Sequence, residues 1–191
     1  MPTQKFLSSN SPVVIVLAAG RGERFAASGG TTHKLQALLA GKRVIDHVLD
    51  AVKASGLAYH VVTPDADRPG MGDSIAAGVK ATLSATAWLI LPADLPLISP
   101  STLCRIALAP ACAITVPMYQ GQRGHPVRFG VECATELLDL QGNKGAAQLI
   151  LAQVATNSVA CLDVDEVGCV FDVDTLSDLA RAEAWLLGRQ G

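Results

Sequence analysis

The sequence VVIVLAAGRGERF, residues 13–25, decides the fold prediction. Its first five residues are all apolar and predict a buried strand, and a glycine-rich turn follows directly. Gly20 and Gly22 match the first two glycines of a dinucleotide-binding fingerprint, but Phe25 stands at the position of the third. The acidic residue that such a site needs at the end of its second strand is also missing at the expected spacing. The turn is therefore predicted to bind something other than a dinucleotide.

Short apolar runs alternate with segments of helical period along the chain. Strands are predicted at residues 59–62, 88–91, 113–116, 159–162 and 169–173, with a shorter one within 120–129. Helices are predicted at residues 44–54, 74–83 and 145–154, after the cap Ser99-Pro100, and after the capping pair Thr175 and Asp178. This order predicts a Rossmann-like α/β three-layer sandwich with a mainly parallel central sheet. Ligands of such folds bind at the carboxyl ends of the strands.

The composition argues against several classes of protein. The chain of 191 residues has a net charge of −2 at pH 7, so it lacks the basic surface of a nucleic-acid-binding protein. No apolar run approaches the ~18 residues of a membrane span, and residues 1–12 lack the apolar segment of a secretory signal. The five cysteines form no C-x-x-C pair, which favours reduced thiols. We expect a cytoplasmic protein without nucleic-acid or membrane partners, with a flexible tail at residues 1–11 and a single domain at residues 12–191.

Three cations accompany the glycines of the first turn: Arg21, Arg24 and Lys34. Bidentate arginine and the point charge of lysine are the natural partners of phosphate oxygens. The pattern predicts a site for a triphosphate, although it is not a Walker A loop. A solvated, charged surface loop is the alternative that the residues alone leave open.

Acidic residues follow two later strands. Asp94 lies in the apolar, proline-flanked turn LPADLP, where a lone carboxylate would be poorly solvated unless it met a cation. A divalent metal ion is the obvious cation. The alternative is a simple turn or cap aspartate. Asp172 and Asp174 stand two residues apart, so one or both could join Asp94 on a metal. The stretch GMGDS, residues 70–74, places glycines at a helix N-terminus, where backbone N–H groups can face a ligand.

These stretches occur together in one known order. LAAGRGERF, HKL, GMGDS, LPADLP, RGHPVRF and DVDTLSDL follow one another as in the molybdopterin nucleotidyltransferase (MobA-like NTP transferase) family. The resemblance covers residues 12–187 and is to the branch that attaches CMP to molybdopterin. It implies a fold of the nucleotide-diphospho-sugar transferase type.

The resemblance also implies roles for individual residues. Lys34, Arg24 and Asp94 would be catalytic, and Asp94 would hold Mg²⁺ together with Asp174 or Asp172. The positions that would bind the nucleotide are Leu17, Ala18, Ala19, Gly20, Arg21, Gly22, Gly70, Met71, Gly72 and Ser74. The positions that would bind the second substrate are Arg123, Gly124 and His125. In this family, Ala-Ala-Gly in the first turn goes with CTP and Gly-Gly goes with GTP.

The implied reaction transfers CMP from CTP to the terminal phosphate of molybdopterin and releases pyrophosphate. It uses Mg²⁺ and no tightly bound organic cofactor, and its product would pass to a molybdenum hydroxylase apoenzyme in a transient complex. The alternatives are a guanylyltransferase of the same family, a cytidylyltransferase for a sugar or polyol phosphate, and a non-catalytic protein that carries or inserts the cofactor.

The chain departs from the family pattern in two places. The segment FAASGGTTH, residues 25–33, is longer than the usual spacer, so its packing decides whether Lys34 reaches the phosphates. Asn143 replaces a common aspartate, and no metal role is expected for it.

The remaining histidines and tryptophans carry weaker expectations. His125 either contacts the second substrate or is a structural turn residue, and the other three histidines, His33, His47 and His60, are expected to be incidental. Trp88 and Trp185 lie in apolar periodic segments and are expected in the core.

Overall fold

A computed structural model describes residues 11–20, 22–63, 70–110, 112–154 and 158–188. The strands are β1 (Val13–Leu17), β2 (Leu38–Leu39), β3 (Lys42–Arg43), β4 (Ala58–Val62), β5 (Ala87–Pro92), β6 (Ile114–Tyr119), β7 (Gln122–Arg123), β8 (Val127–Gly130) and β9 (Val159–Asp163). The helices are α1 (Glu23–Ala27), α2 (Val44–Ser55), α3 (Met71–Ala81), α4 (Pro100–Ala107), α5 (Ala134–Leu138), α6 (Ala147–Val154) and α7 (Leu176–Gly188). Three 3₁₀ turns occupy Lys34–Gln36, Val131–Cys133 and Val167–Cys169. Among the described residues no helix is long and apolar enough to cross a membrane.

Strand β1 lies beside the edge strand β4 in a sheet of seven described strands. The order is β4-β1-β5-β8-β6-β7, and β9 also pairs with β6. Strand β1 pairs in parallel with both β4 and β5, and β6 pairs in parallel with β9. Strand β8 is antiparallel to its neighbours β5 and β6, so it separates two groups of parallel strands. The prediction of an α/β fold with a mainly parallel sheet is confirmed, with β8 and β7 as its antiparallel members.

The two faces of the sheet carry separate apolar clusters. Because side chains alternate along a strand, β1 and β5 contribute to both faces. On one face, helices α2 and α4 cover Val14, Val16, Leu89 and Leu91. On the other face, helices α3 and α5 cover Val13, Ile15, Trp88 and Ile90. This arrangement is the predicted three-layer sandwich.

Several local expectations differ from the structure. Residues 169–173 do not form a strand, because Cys169 belongs to a 3₁₀ turn and the backbone bonds elsewhere: the carbonyl of Cys169 accepts from the N–H of His125 at 2.8 Å, and the N–H of Val173 donates to the carbonyl of Asp94 at 2.9 Å. Helix α3 begins at Met71, three residues before the predicted start at Ser74. Trp88 is 1% exposed, as expected, whereas Trp185 is 44% exposed on α7, so its assignment to the core was wrong.

The five cysteines are free, as predicted. Cys133 and Cys169 are buried, and burial raises the pKa of each thiol to about 11. Both thiols are therefore protonated and unreactive at neutral pH.

Candidate active site

A cavity of about 750 Å³ opens at the carboxyl ends of β1 and β5. Of the first turn, Leu17, Ala19, Gly20 and Gly22 line it. Ala18 is buried instead, and its N–H donates to the carbonyl of Val62 at 2.9 Å. The predicted phosphate ligand Arg21 lies outside the described residues.

The base of the cavity holds a network of opposite charges. Lys34 Nζ donates to Asp94 Oδ2 and to Asp174 Oδ1, each at 2.6 Å. Arg24 Nη1 lies 2.6 Å from Asp174 Oδ2. The lysine side chain is only 10% exposed and the two aspartates are 18% and 13% exposed, whereas Arg24 is 80% exposed at the rim. The structure thus brings together the four residues that were predicted to be catalytic or to bind a metal.

Pairing determines the protonation of this network. Burial by itself would lower the pKa of Lys34, but the charges and hydrogen bonds of Asp94 and Asp174 outweigh it and raise that pKa. Burial would raise the pKa of Asp174, but Lys34 and Arg24 outweigh it and lower that pKa. Lys34 and Asp174 are therefore both charged at neutral pH.

Asp172 is a further acid on the cavity wall. Loss of solvent and the negative charges of Asp174 and Asp94 raise its pKa. Asp172 thus lies close to the acid pair without sharing the lysine, since both acceptors of Lys34 Nζ are the other two aspartates.

The packing of residues 25–33 places Lys34 at the base of the cavity. Phe25 is 1% exposed, and a Cβ on Gly30 would lie 2.3 Å from its ring, so the chain folds back directly over Phe25. Ser28 Oγ accepts from the backbone N–H of Leu176 at 3.0 Å, which fixes the segment to the start of α7. The residue that breaks the dinucleotide fingerprint is therefore the apolar anchor of this segment.

The start of α3 forms the side of the cavity through Gly70, Met71 and Ser74. The N–H of Gly70 donates to Asp73 Oδ2 at 3.2 Å and the N–H of Gly72 donates to the carbonyl of Gly142 at 2.8 Å. These two N–H groups bond to acceptors within the chain, one of them on loop 141–145, and contact of this stretch with a nucleotide stays a prediction. Gly72 itself does not line the cavity.

The segment Arg123-Gly124-His125 forms another wall. Arg123 and His125 line the cavity, while Gly124 is buried with its N–H bonded to the carbonyl of Pro117 at 2.8 Å. The N–H of His125 donates to the carbonyl of Cys169 at 2.8 Å. Burial lowers the pKa of His125, so its ring is neutral at pH 7. Its Nδ1 is buried and has no hydrogen-bond partner among the described residues.

The acid pair is suited to a divalent cation. Asp94 and Asp174 present oxygens that converge on a single position, now taken by the lysine nitrogen. Carboxylate oxygens are the ligands that Mg²⁺ prefers, and Mg²⁺ is typically held by one or two carboxylates together with substrate phosphates. Within the described ranges no group of three or more His, Cys, Asp or Glu is placed to hold a metal. A metal here would therefore need the phosphates of a bound substrate to complete its ligands.

The fold and the site define a nucleotide-binding α/β protein that handles phosphate groups. The chain belongs to the MobA-like NTP transferase domain family, whose model matches residues 14–157. It is accordingly a nucleotidyltransferase of the MobA-like family.

Solved structures with the same fold cover nearly the whole chain. Rv0371c from Mycobacterium tuberculosis H37Rv is 25% identical, with 93% of this chain and 100% of that chain covered and a TM-score of 0.73. A second structure of Rv0371c, a complex with manganese, is 23% identical over 93% and 100% of the chains, with a TM-score of 0.68. Mth528, a nucleotidyl transferase from Methanothermobacter thermautotroptrophicus, is 22% identical over 95% and 99%, with a TM-score of 0.78. These likenesses confirm the predicted fold.

A curated protein of Escherichia coli K12 matches only locally. It is described as a putative LysR family substrate binding domain-containing protein, YagP, and is 75% identical over 24 residues. The match spans 13% of this chain and 18% of that protein, so it carries no argument about activity.

Proposed function

We propose that the protein transfers CMP from CTP to the terminal phosphate of molybdopterin and releases pyrophosphate. The observation that carries this proposal is the position of Lys34, buried between Asp94 and Asp174 at the base of a cavity shared by the glycine-rich turn and by Arg123 and His125. In this proposal the turn binds the nucleotide triphosphate, and the wall formed by Arg123 and His125 supplies a cationic and a neutral polar group for a second, anionic substrate.

For this nucleotidyl transfer the protein must align two anions and stabilise the charge of the leaving group. The pterin phosphate attacks the α-phosphorus of CTP, the bond to the β-phosphate oxygen breaks, and pyrophosphate leaves. In this proposal Lys34 donates to the α-phosphate as charge develops, and Arg24 and Arg21 hold the β- and γ-phosphates. No general base is needed, because the attacking phosphate is already largely ionised at neutral pH.

A divalent ion belongs to this proposal. Asp94 and Asp174 would hold Mg²⁺, which neutralises phosphate charge when bound. The manganese complex of the relative Rv0371c supports a divalent ion in the shared fold. Asp174 is favoured over Asp172 as the second ligand, because Asp174 shares the position of the lysine nitrogen with Asp94.

The choice of CTP rests on Ala18, Ala19 and Gly20 in the first turn, and the choice of molybdopterin rests on the segment at Arg123, Gly124 and His125. Both follow the resemblance of these stretches to the cytidylyltransferase branch. In this proposal the product passes to a molybdenum hydroxylase apoenzyme.

The test is release of pyrophosphate in the presence of Mg²⁺, measured with each of the four NTPs and a molybdopterin source. We expect release with CTP, and its loss in Asp94→Asn, while Asp50→Asn, whose carboxylate pairs with Lys42 at the surface, serves as the matched control. A preference for GTP would contradict the assignment of the base. Release only with a sugar phosphate would contradict the acceptor, and binding without release would indicate a carrier.

A further inference from the structure

His33 connects the glycine-rich turn to the turn that carries Lys34. Its ring Nε2 lies 2.7 Å from the carbonyl oxygen of Gly20, thirteen residues earlier in the chain. Its Nδ1 accepts from the backbone N–H of Leu35 at 3.3 Å, at the start of the 3₁₀ turn Lys34–Gln36. A carbonyl oxygen can only accept and a backbone N–H can only donate, so both bonds require the neutral tautomer with its proton on Nε2.

The glycine-rich turn packs against the His33 ring. Gly22 has a φ of +67°, in the left-handed region that favours glycine, and a Cβ there would lie 3.4 Å from His33 Nε2. A Cβ at Gly20, by contrast, would meet no described atom within 4 Å, so packing does not hold this residue in place. Among the described contacts of Gly20, the bond to His33 is the one that fixes its carbonyl.

Lys34 has separate support. Its ammonium group is held by Asp94 and Asp174, so loss of the His33 ring would leave the lysine in place while releasing the turn. The turn holds phosphates of the nucleotide in the ground state and in the transition state alike. Weakening it should therefore raise KM and leave kcat nearly unchanged.

We propose that His33 is a positioning residue that ties the Gly20 turn to the Lys34 turn, so that both meet the phosphate chain of a nucleotide as one unit. The inference rests on the proposed function only in that the cavity takes a triphosphate. It does not depend on the base or on the acceptor.

Three substitutions distinguish the contributions of the two hydrogen bonds of His33. His33→Gln retains an amide donor near the position of Nε2 and can still reach Gly20. His33→Asn retains an acceptor near the position of Nδ1 for Leu35 but is too short to reach Gly20. His33→Ala removes both bonds. His47→Asn is the matched control, because His47 Nε2 likewise lies 2.8 Å from a backbone carbonyl, that of Leu39, away from the cavity.

Calorimetry with magnesium tripolyphosphate and with Mg-CTP measures phosphate binding directly, and pyrophosphate release gives KM and kcat. We expect His33→Asn and His33→Ala to weaken both ligands about fivefold, the effect of one hydrogen bond. The KM for CTP should rise by a similar factor, with kcat within about twofold of the original. We expect His33→Gln and His47→Asn to bind both ligands as the original protein does.

The inference is overturned if His33→Asn binds tripolyphosphate normally, or if His33→Gln loses as much affinity as His33→Ala. A change in thermal stability without a change in affinity would also overturn it, since that would indicate a purely structural side chain. Binding of tripolyphosphate that depends on His33, without turnover of CTP, would leave this inference standing and contradict the proposed function. Failure of the original protein to bind tripolyphosphate would overturn both.

Discussion

At the scale of single residues, the site depends on a buried lysine whose charge is balanced by two carboxylates. Removing an ammonium group from water is costly unless opposite charges and hydrogen bonds replace the lost solvent. Asp94 and Asp174 provide this replacement for Lys34, each at 2.6 Å. In the proposed function, the same three groups exchange partners when substrate binds: Lys34 would bond to phosphate and the two carboxylates would bind the cation.

Lys34→Met tests this role. We expect kcat for pyrophosphate release to fall about 100- to 1,000-fold, the usual effect of removing one donor to developing charge. KM should change much less, because the turn and Arg24 still hold the phosphates. Steady-state kinetics give both values, and Lys42→Met, which breaks an exposed ion pair with Asp50, is the control. A rise in KM alone would mean that Lys34 contributes ordinary ground-state binding.

The sequence predicted Lys34 from its place shortly after the glycine-rich turn and Asp94 from its place after a strand, and it paired Asp174 with Asp94 although residues 169–173 form no strand. It could not assign His33 a role, since a lone histidine beside a lysine gives no sign of a contact with Gly20. That contact exists only because the segment 25–33 folds over the buried ring of Phe25. Non-local contacts of this kind depend on packing rather than on local pattern.

At the scale of elements, the glycines of two similar glycine-rich stretches, Gly20 and Gly72, have different functions. Gly20 faces the open cavity, whereas Gly72 lies at the start of α3 under the loop 141–145. A Cβ on Gly72 would lie 2.6 Å from the carbonyl of Lys144 and 2.9 Å from the amide nitrogen of Gln141. Both are backbone atoms that cannot move aside without shifting the whole loop.

Paired substitutions distinguish these functions. We expect Gly72→Ala to lower the free energy of unfolding by about 1–3 kcal/mol through overpacking. Gly20→Ala should leave stability unchanged or raise it by about 0.4–1 kcal/mol, since the unfolded chain loses freedom and the folded chain gains no clash. Gly20→Ala should nevertheless weaken tripolyphosphate binding, because the added methyl group stands where phosphate approaches the backbone.

Urea unfolding and calorimetry measure the two effects. Equal affinity for tripolyphosphate in Gly20→Ala and the original protein would contradict a phosphate at this turn. Unchanged stability in Gly72→Ala would show that loop 141–145 does not rest on the helix terminus in solution.

The order of the strands in the sheet could be predicted only in part from the local sequence pattern. Periodicity identified the strands beside β1, and a mainly parallel sheet was predicted from the alternation of strands and helices, as the parallel pairs of β1 with β4 and β5 bear out. The place of β8 between β5 and β6 was not, because antiparallel insertion depends on a chain reversal through β7. The segment at 169–173 failed as a strand for a related reason, since its backbone bonds to His125 instead.

At the scale of the whole molecule, two half-buried histidines link stability to pH. Burial lowers the pKa of His60, on the edge strand β4, and of His125, on the cavity wall, below their ordinary value of 6.5. Below pH 6.5 the unfolded chain therefore takes up protons that the folded chain does not. Stability contributed by both groups is present above that pH and is lost as the pH falls through the lower, folded values.

We therefore expect the free energy of unfolding to decline on acidification below pH 6.5. Each histidine contributes at most about 1.4 kcal/mol per pH unit. Lys34 and Arg24 lower the pKa of Asp174. The stability that Asp174 contributes is therefore lost as the pH falls through its folded pKa, which adds a second decline at more acidic pH. Urea unfolding at a series of pH values measures both. His60→Gln and His125→Gln should each reduce the first decline and leave the second. A slope that neither substitution changes would mean that both rings take up protons as readily in the folded protein as in the unfolded one.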